Sequence, residues 1–257
     1  MAFRRILAVG DVHGDAARLR ALWNEISFDD AQDLLVFLGD YIDRGPAPAE
    51  ALAFVRMQTE RNENVHALIG NHEAMMLAYL AENGIDGFAP THLWQCNGGD
   101  ATLRRLAALP RAEAEELIRF VKGLPLYFRM SYEGRSILFV HAGIDPAREK
   151  QRERDLLWIR DVFFERYAGE ELIVVGHTPT QFLGARRDLT RTAPIFFPNN
   201  IVACDTGGFL PGGRISCVDV RRYLDLRARG GMPTADEIAS CYVQSAAKGA
   251  AHTAKNT

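Results

Sequence analysis

Cysteine is scarce in this chain: there are four in 257 residues, and Cys96, Cys204, Cys217 and Cys241 stand far apart with no CxxC pair. Neither a thiolate zinc site nor a disulfide framework is expected from that usage. Long apolar runs are missing as well. No stretch approaches the ~20 residues that a membrane-spanning helix needs, so no membrane association is expected. The opening MAFRRILAVGDVHG puts an apolar run after two arginines, yet Ile6–Val9 stops at Gly10 and Asp11. That run is too short for the core of a signal peptide, and a cytoplasmic location is expected. Neither sign of charge prevails. Thirty Lys and Arg face 33 Asp and Glu, a net charge of −3, with a pI of about 6.2. A basic footprint for nucleic acid is therefore absent, and no stable nucleic-acid partner is expected. With 47% apolar and 25% charged residues, the chain is neither disordered, collagenous nor a coiled coil as a whole.

What is present is a recurrence of short apolar runs rich in β-branched residues: Ile6–Val9, Leu34–Leu38, Val65–Ile69, Ile137–Val140, Leu172–Val175, Ile201–Ala203 and Ile215–Val220. Runs of this length suit strands buried on both faces. Between them Leu19, Leu22, Trp23 and Ile26 form one helical stripe that Asp15 can cap, and Leu117, Phe120, Val121 and Leu124 form another. A further helix is expected after Pro46 and Pro48, through Leu52 and Val55. Strand–helix alternation in the first half implies parallel pairing. Tyr127–Tyr132, Glu133-Gly134 and Ser136–Val140 read as a hairpin, so antiparallel pairing enters later. Thr234 and Glu237 can form a capping box for a last helix, after which the small, polar end reads as frayed.

The chemistry is concentrated where the runs end. Five of them exit into a metal-ligand type: ILAVG-D-V-H, LVFLG-D, HALIG-N-H-E, ILFV-H and LIVVG-H. Asp11, His13, Asp40, Asn71, His141 and His177 thus sit at strand C-terminal ends, the edge where ligand sites gather in open sheets. All donors are carboxylate, amide oxygen or imidazole, which favours manganese, iron, zinc or cobalt in a catalytic role over a structural zinc. Six side chains exceed the needs of one open ion and suffice for two if one carboxylate bridges. Two divalent ions set against two carboxylates and a hydroxide leave about +1, and two arginines raise this to about +3, a pocket suited to a phosphate dianion.

GDVHG (10–14), GDYIDRG (39–45) and GNHE (70–73), followed by HAG (141–143) and GHT (176–178), resemble the metal-dependent phosphoprotein phosphatase family of calcineurin-like metallophosphoesterases. With LWQCNGG (93–99), LLWIR (156–160), VVGHTP (174–179) and DTG (205–207), the order is most similar to bacterial and bacteriophage lambda-type serine/threonine protein phosphatases, over roughly residues 5–220. The resemblance implies an α/β fold of two mixed sheets packed as a sandwich flanked by helices. It also implies a catalytic domain over 1–228 with a helical cap segment at 74–125, leaving 229–257 as a last helix and a disordered tail. It implies two divalent ions, manganese first and iron or zinc as variants. Asp11, His13 and Asp40 would hold one ion, Asp40 would bridge, and Asn71, His141 and His177 would hold the other. His72 would protonate the leaving oxygen with Asp43 behind it, while Arg44 and Arg160, with Asn71, would bind the phosphate of a phosphoprotein or phosphopeptide.

Other residues receive plainer expectations. Glu73 suits the first turn of a helix behind the ligands, His66 suits the core or a place behind the ligands, and His92 and His252 have no supporting pattern. Cys96, Cys204 and Cys217 read as small buried hydrophobes, and Met75 and Met76 as core. The segment 178–200 reads as a solvated loop, or, through Arg186, Arg187 and Arg191, as a contact for an acidic or phosphorylated substrate. The competing functions are symmetrical diadenosine tetraphosphate hydrolysis, a phosphoprotein-binding module without catalysis, and a phosphodiesterase or nuclease. GNHE in place of GNHD and the presence of LLWIR argue against the first, the complete ligand set against the second, and the acidic balance against the third.

Overall fold

The structure is a computed structural model and describes residues 3–84, 92–184 and 187–249. Strands β1 (Arg5–Val9), β2 (Asp33–Phe37) and β3 (Val65–Ala67) alternate with helices α1 (Ala16–Ile26) and α2 (Pro48–Arg61), and pair in parallel as the alternation predicts. Asp15 caps α1 by accepting from the Arg18 N–H. Helices α3 (Asn71–Asn83), α4 (Leu93–Cys96), α5 (Gly99–Ala107) and α6 (Arg111–Lys122) occupy the described part of 74–125, with α5 and α6 against α2. Next come β4 (Tyr127–Tyr132) and β5 (Arg135–Val140), the expected hairpin. Its turn residues Glu133 and Gly134 both have positive φ, 47° and 78°, as a tight two-residue turn requires.

Helices α7 (Glu153–Trp158) and α8 (Asp161–Arg166) precede β6 (Leu172–Val175), β7 (Ile195–Phe197), β8 (Ile201–Ala203) and β9 (Ser216–Asp219). The chain then forms α9 (Val220–Arg227), α10 (Ala235–Ala239) and β10 (Tyr242–Gln244). One sheet runs β10-β9-β1-β2-β3 and the other β4-β5-β6-β8-β7, each mixed, so the fold is the expected α/β sandwich of two sheets.

Period-two alternation explains the layering. Ile6, Ala8, Leu34 and Val36 of the first sheet meet Ile137, Phe139, Leu172 and Val174 of the second in one central core. The residues between them point outward. Leu7, Val9, Leu35 and Phe37 pack under Leu19, Leu22 and Leu52 of the helices, while Leu138, Val140, Ile173 and Val175 pack under Leu156, Phe163 and Phe164. Both sheets are therefore covered on both faces, and only their strand ends remain for chemistry.

Three expectations are corrected. Cys96 is exposed, because it ends the one-turn helix α4, whereas Cys204 and Cys217 are buried. The segment 178–200 is not only loop: Ile195–Phe197 forms β7 against β8. The chain after 228 does more than cap and fray. α10 has its Thr234–Glu237 capping box, and β10 then pairs antiparallel with β9 as an edge of the first sheet. Among the described residues no helix is long and apolar enough to cross a membrane.

Candidate functional site

Glycine lets the strand exits approach one another. A Cβ on Gly10 would stand 2.4 Å from the Cys204 carbonyl oxygen, and one on Gly39 would stand 2.7 Å from Gly70 Cα. The exits of β1 and β8, and of β2 and β3, therefore touch backbone to backbone. Immediately beyond these contacts the chain bends sharply. His13, Asp40, Asp43, Arg44 and His177 all have φ between 46° and 70°, a left-handed conformation that non-glycine residues adopt at a cost. The surroundings hold them there. Glu73, in the first turn of α3, accepts from the N–H groups of Asp40 (2.9 Å), Tyr41 (2.8 Å) and Gly70 (3.0 Å). The glutamate is thus a clamp on the β2 exit.

All six sequence-derived donors converge, each buried. The Nδ1 of His141 lies 2.9 Å from the Leu38 carbonyl, which can only accept, so the proton resides on Nδ1. Its Nε2 then presents a lone pair 2.9 Å from Asn71 Oδ1 and 3.4 Å from Asp40 Oδ1. Asn71 Oδ1 is also 2.8 Å from His177 Nδ1. On the other side His13 Nδ1 faces the Ile42 carbonyl at 3.3 Å, leaving Nε2 to face Asp11 Oδ2 and Asp40 Oδ2, both at 3.8 Å. Asp11 is held by the His177 N–H at 3.0 Å. Acceptor atoms crowded in this way repel unless a cation lies among them, so the residues fit a divalent metal. Asp40 belongs to both metal-capable groups, with His13 and His72 on one side and His141 and His177 on the other.

The electrostatics agree. Burial holds His13, His141 and His177 below the usual imidazole range, so they are neutral and ready to ligate. Burial alone would raise Asp40, but imidazoles surround it on every side, His72 among them protonated, and its carboxyl is held well below the usual carboxylate range. Asp11 is pushed up by burial and by Asp205 and Asp40, the signature of negative charge awaiting a counter-ion.

Beside the donors stands a second group. His72 Nδ1 donates to Asp43 Oδ2 at 2.6 Å, and the Asp43 carboxylate also accepts from Trp94 Nε1 (2.8 Å) and Thr102 Oγ1 (2.5 Å). Arg44 reaches His72 Nε2 at 3.0 Å and His13 Nε2 at 2.9 Å, its guanidinium 4.0 Å above the Phe209 ring. Arg160 donates to the His177 carbonyl (3.2 Å) and to Thr178 Oγ1 (3.0 Å). Both arginines line a cleft of about 930 Å³ with His13, Asp40, Asn71, His72 and His177. No sequence-derived site residue lies outside this neighbourhood.

Trp94, Thr102 and Phe209 join the site beyond the sequence-derived residues. LWQCNGG was a signal for the first: a Cβ on Gly99 would strike the Trp94 ring at 2.5 Å, so the glycine admits the indole that reaches Asp43. Thr102 and Phe209 had no local signature. Of the arginines in 178–200, Arg187 sits over Phe182 at the cleft rim, and Arg191 braces the loop through the Thr180 and Leu183 carbonyls. Arg186 lies outside the described residues, as does His252. His66 stacks on Phe128, and His92 packs edge-on against Tyr79.

Comparison with known proteins places this geometry. The chain is 31% identical over 226 residues to a serine/threonine-protein phosphatase 1 of Salmonella typhimurium, covering 85% of this chain and 93% of that protein. It is 35% identical over 141 residues to a symmetrical bis(5'-nucleosyl)-tetraphosphatase of Nitrosococcus oceani, covering 55% of this chain and 44% of that protein. The match thus spans less than half the length of the Nitrosococcus relative. Among solved structures, a candidate diadenosine tetraphosphatase superposes with a TM-score of 0.64 at 19% identity, covering 95% of this chain and 93% of that one. The model of the calcineurin-like phosphoesterase family matches residues 4–217, and the chain belongs to that family of hydrolases, which act on phosphoester bonds with divalent metal ions.

Proposed function

We propose that the protein is a serine/threonine protein phosphatase that cleaves phosphomonoesters at a dinuclear centre. The observation that carries this reading is the His72–Asp43 pair, whose His72 touches Arg44 and lines one cleft together with Arg160 and the donors His13, Asp40, Asn71 and His177. In this reading Asp11, His13 and Asp40 hold one ion and Asn71, His141 and His177 the other, with Asp40 shared. Oxygen and imidazole donors suit manganese best, with iron or zinc as variants. Bound ions would supply a hydroxide nucleophile near neutral pH and charge for the phosphate oxygens. The remaining work belongs to side chains. Arg44 and Arg160 orient the phosphate from two sides. His72, kept protonated by Asp43, gives its proton to the departing serine or threonine oxygen. The same reading gives the protein a cytoplasmic location and phosphoproteins as its partners.

The protein substrate is supported by likeness along nearly the whole of the Salmonella phosphatase. A second reading, symmetrical dinucleoside tetraphosphate hydrolysis, is favoured by the Nitrosococcus relative and by the aromatic wall of the cleft at Phe164, Phe182 and Phe197. A non-catalytic binding role fits poorly with a donor set in which every position is filled. Comparing kcat/KM for a phosphothreonine peptide and for diadenosine tetraphosphate decides between them. The phosphopeptide is expected to be preferred, and a ~100-fold preference for the dinucleotide, some 2.7 kcal/mol in transition-state binding, would overturn the choice.

A further inference from the structure

The carboxylate of Asp205 has no part in the chemistry above, yet it is 1% exposed and opens the DTG that follows β8. Its Oδ1 accepts from the Gly207 N–H at 2.9 Å, which is all that a turn acid needs. Its Oδ2 is equally enclosed and has no hydrogen-bond partner. A bare buried carboxylate oxygen is costly, and such groups persist where something else uses them.

The backbone shows what that could be. A Cβ on Gly10 would stand 3.1 Å from Asp205 N, so Asp11 and Asp205 leave neighbouring strand ends side by side. The Asp205 carbonyl accepts from the Thr180 N–H at 2.8 Å, which ties it to the loop bearing His177. His177 in turn donates its N–H to Asp11. Asp205 shares its surroundings with the charges of Asp11, Asp40, Arg44 and Arg160. Among the described residues it forms no ion pair with either arginine, and Arg160 donates instead to the His177 carbonyl and to Thr178 Oγ1.

We propose that Asp205 is a positioning residue of the metal centre, a further buried carboxylate beside Asp11, and that its charge and bare Oδ2 set how tightly the Asp11–His13–Asp40 side holds its ion. The proposal rests on the reading of those three residues as ligands. A negative charge beside Asp11, strong enough to push up that carboxyl in a water-poor site, would strengthen the binding of a divalent ion without touching it. Held through its carbonyl to the His177 loop, Asp205 also keeps the two ligand-bearing exits in register.

The test uses the full chain stripped with a chelator, titrated with Mn²⁺ by calorimetry, and melted with and without Mn²⁺. Asp205→Asn keeps the shape and the bond from Gly207. Two ions are still expected to bind, one with affinity lowered ~10–100-fold and the other unchanged. The stripped variant should melt no lower than the stripped wild type, since a bare charge has been removed. Unchanged Mn²⁺ affinities would overturn the proposal. So would a stripped variant that melts lower and weakens for both ions together, the behaviour of a turn acid. Asp205→Ser retains an acceptor for Gly207 and provides the same reading if the asparagine variant does not fold. Asp11→Asn is run in parallel. If it binds Mn²⁺ like wild type, the ligand assignment fails and takes the proposal with it; if it loses an ion, the outcome at Asp205 stands by itself.

Discussion

His72 is pulled in two directions. Burial alone would strip its proton, but the charge of Asp40, and the hydrogen bond and charge of Asp43, outweigh burial and raise its pKa above the ordinary imidazole value. An acid that must donate near neutral pH needs that outcome. The group acts when protonated, so kcat should hold up to the raised pKa and fall as pH rises through it. Asp43→Asn removes the charged partner, and the alkaline limb of the kcat profile is expected to move to lower pH. His72→Asn serves as the reference: it should lower kcat ~10²–10⁴-fold with both ions retained, and the limb should vanish. An unmoved limb in Asp43→Asn would mean that His72 is not the titrating acid.

At the scale of elements the strand exits carry the design. Gly70 has no positive φ (its φ is −97°), so any residue could adopt its backbone. What forbids a side chain is space: a Cβ there would lie 2.2 Å from Asp40 Oδ1 and 2.4 Å from Asp40 N. Gly70→Ala must push away the carboxylate shared by both donor groups. It is expected to keep its far-ultraviolet circular dichroism, to lose ~1–3 kcal/mol of stability, and to bind Mn²⁺ weakly in titration. Mn²⁺ binding equal to wild type would show that Asp40 can move without consequence. These exits were legible in the sequence because an apolar run that breaks at glycine and a lone donor is a short-range signal. Strands β7 and β10 were not, since each is three residues long, lies at a sheet edge, and exists only through its pairing with β8 or β9. The partners of Asp43 divide in the same way: Trp94 stands in a motif, whereas Thr102 reaches Asp43 from a helix 59 residues away, which no local pattern discloses.

Taken whole, the molecule gathers titratable groups where its sheets end, and their burial couples metal binding to folding. Without ions, burial and Asp40 push Glu73 up to about 7, and burial pushes Asp205 up to about 6 and Asp11 well above the usual carboxylate range. Raised acids bind protons more tightly in the folded state than in the unfolded one, so their contribution is present at low pH and is lost as pH rises through the folded value. His13, His141 and His177 are lowered and work in the opposite sense, but only below the ordinary imidazole pKa of 6.5, where the unfolded chain takes up protons. Above 6.5 that opposition ends, while Glu73, Asp11 and the raised His72 still lose protons in the folded state. The stripped protein should therefore lose stability between about pH 6.5 and 8. Two divalent ions reverse the balance by making the deprotonated carboxylates the favoured form, so the Mn²⁺-loaded protein should show a flat or rising profile over the same window. Denaturant midpoints across that range, with chelator and with saturating Mn²⁺, measure both. A stripped protein that gains stability up to pH 8 would mean that the buried carboxylates are not held short of counter-charge, and that the packing of the strand ends does not depend on the ions they are built to receive.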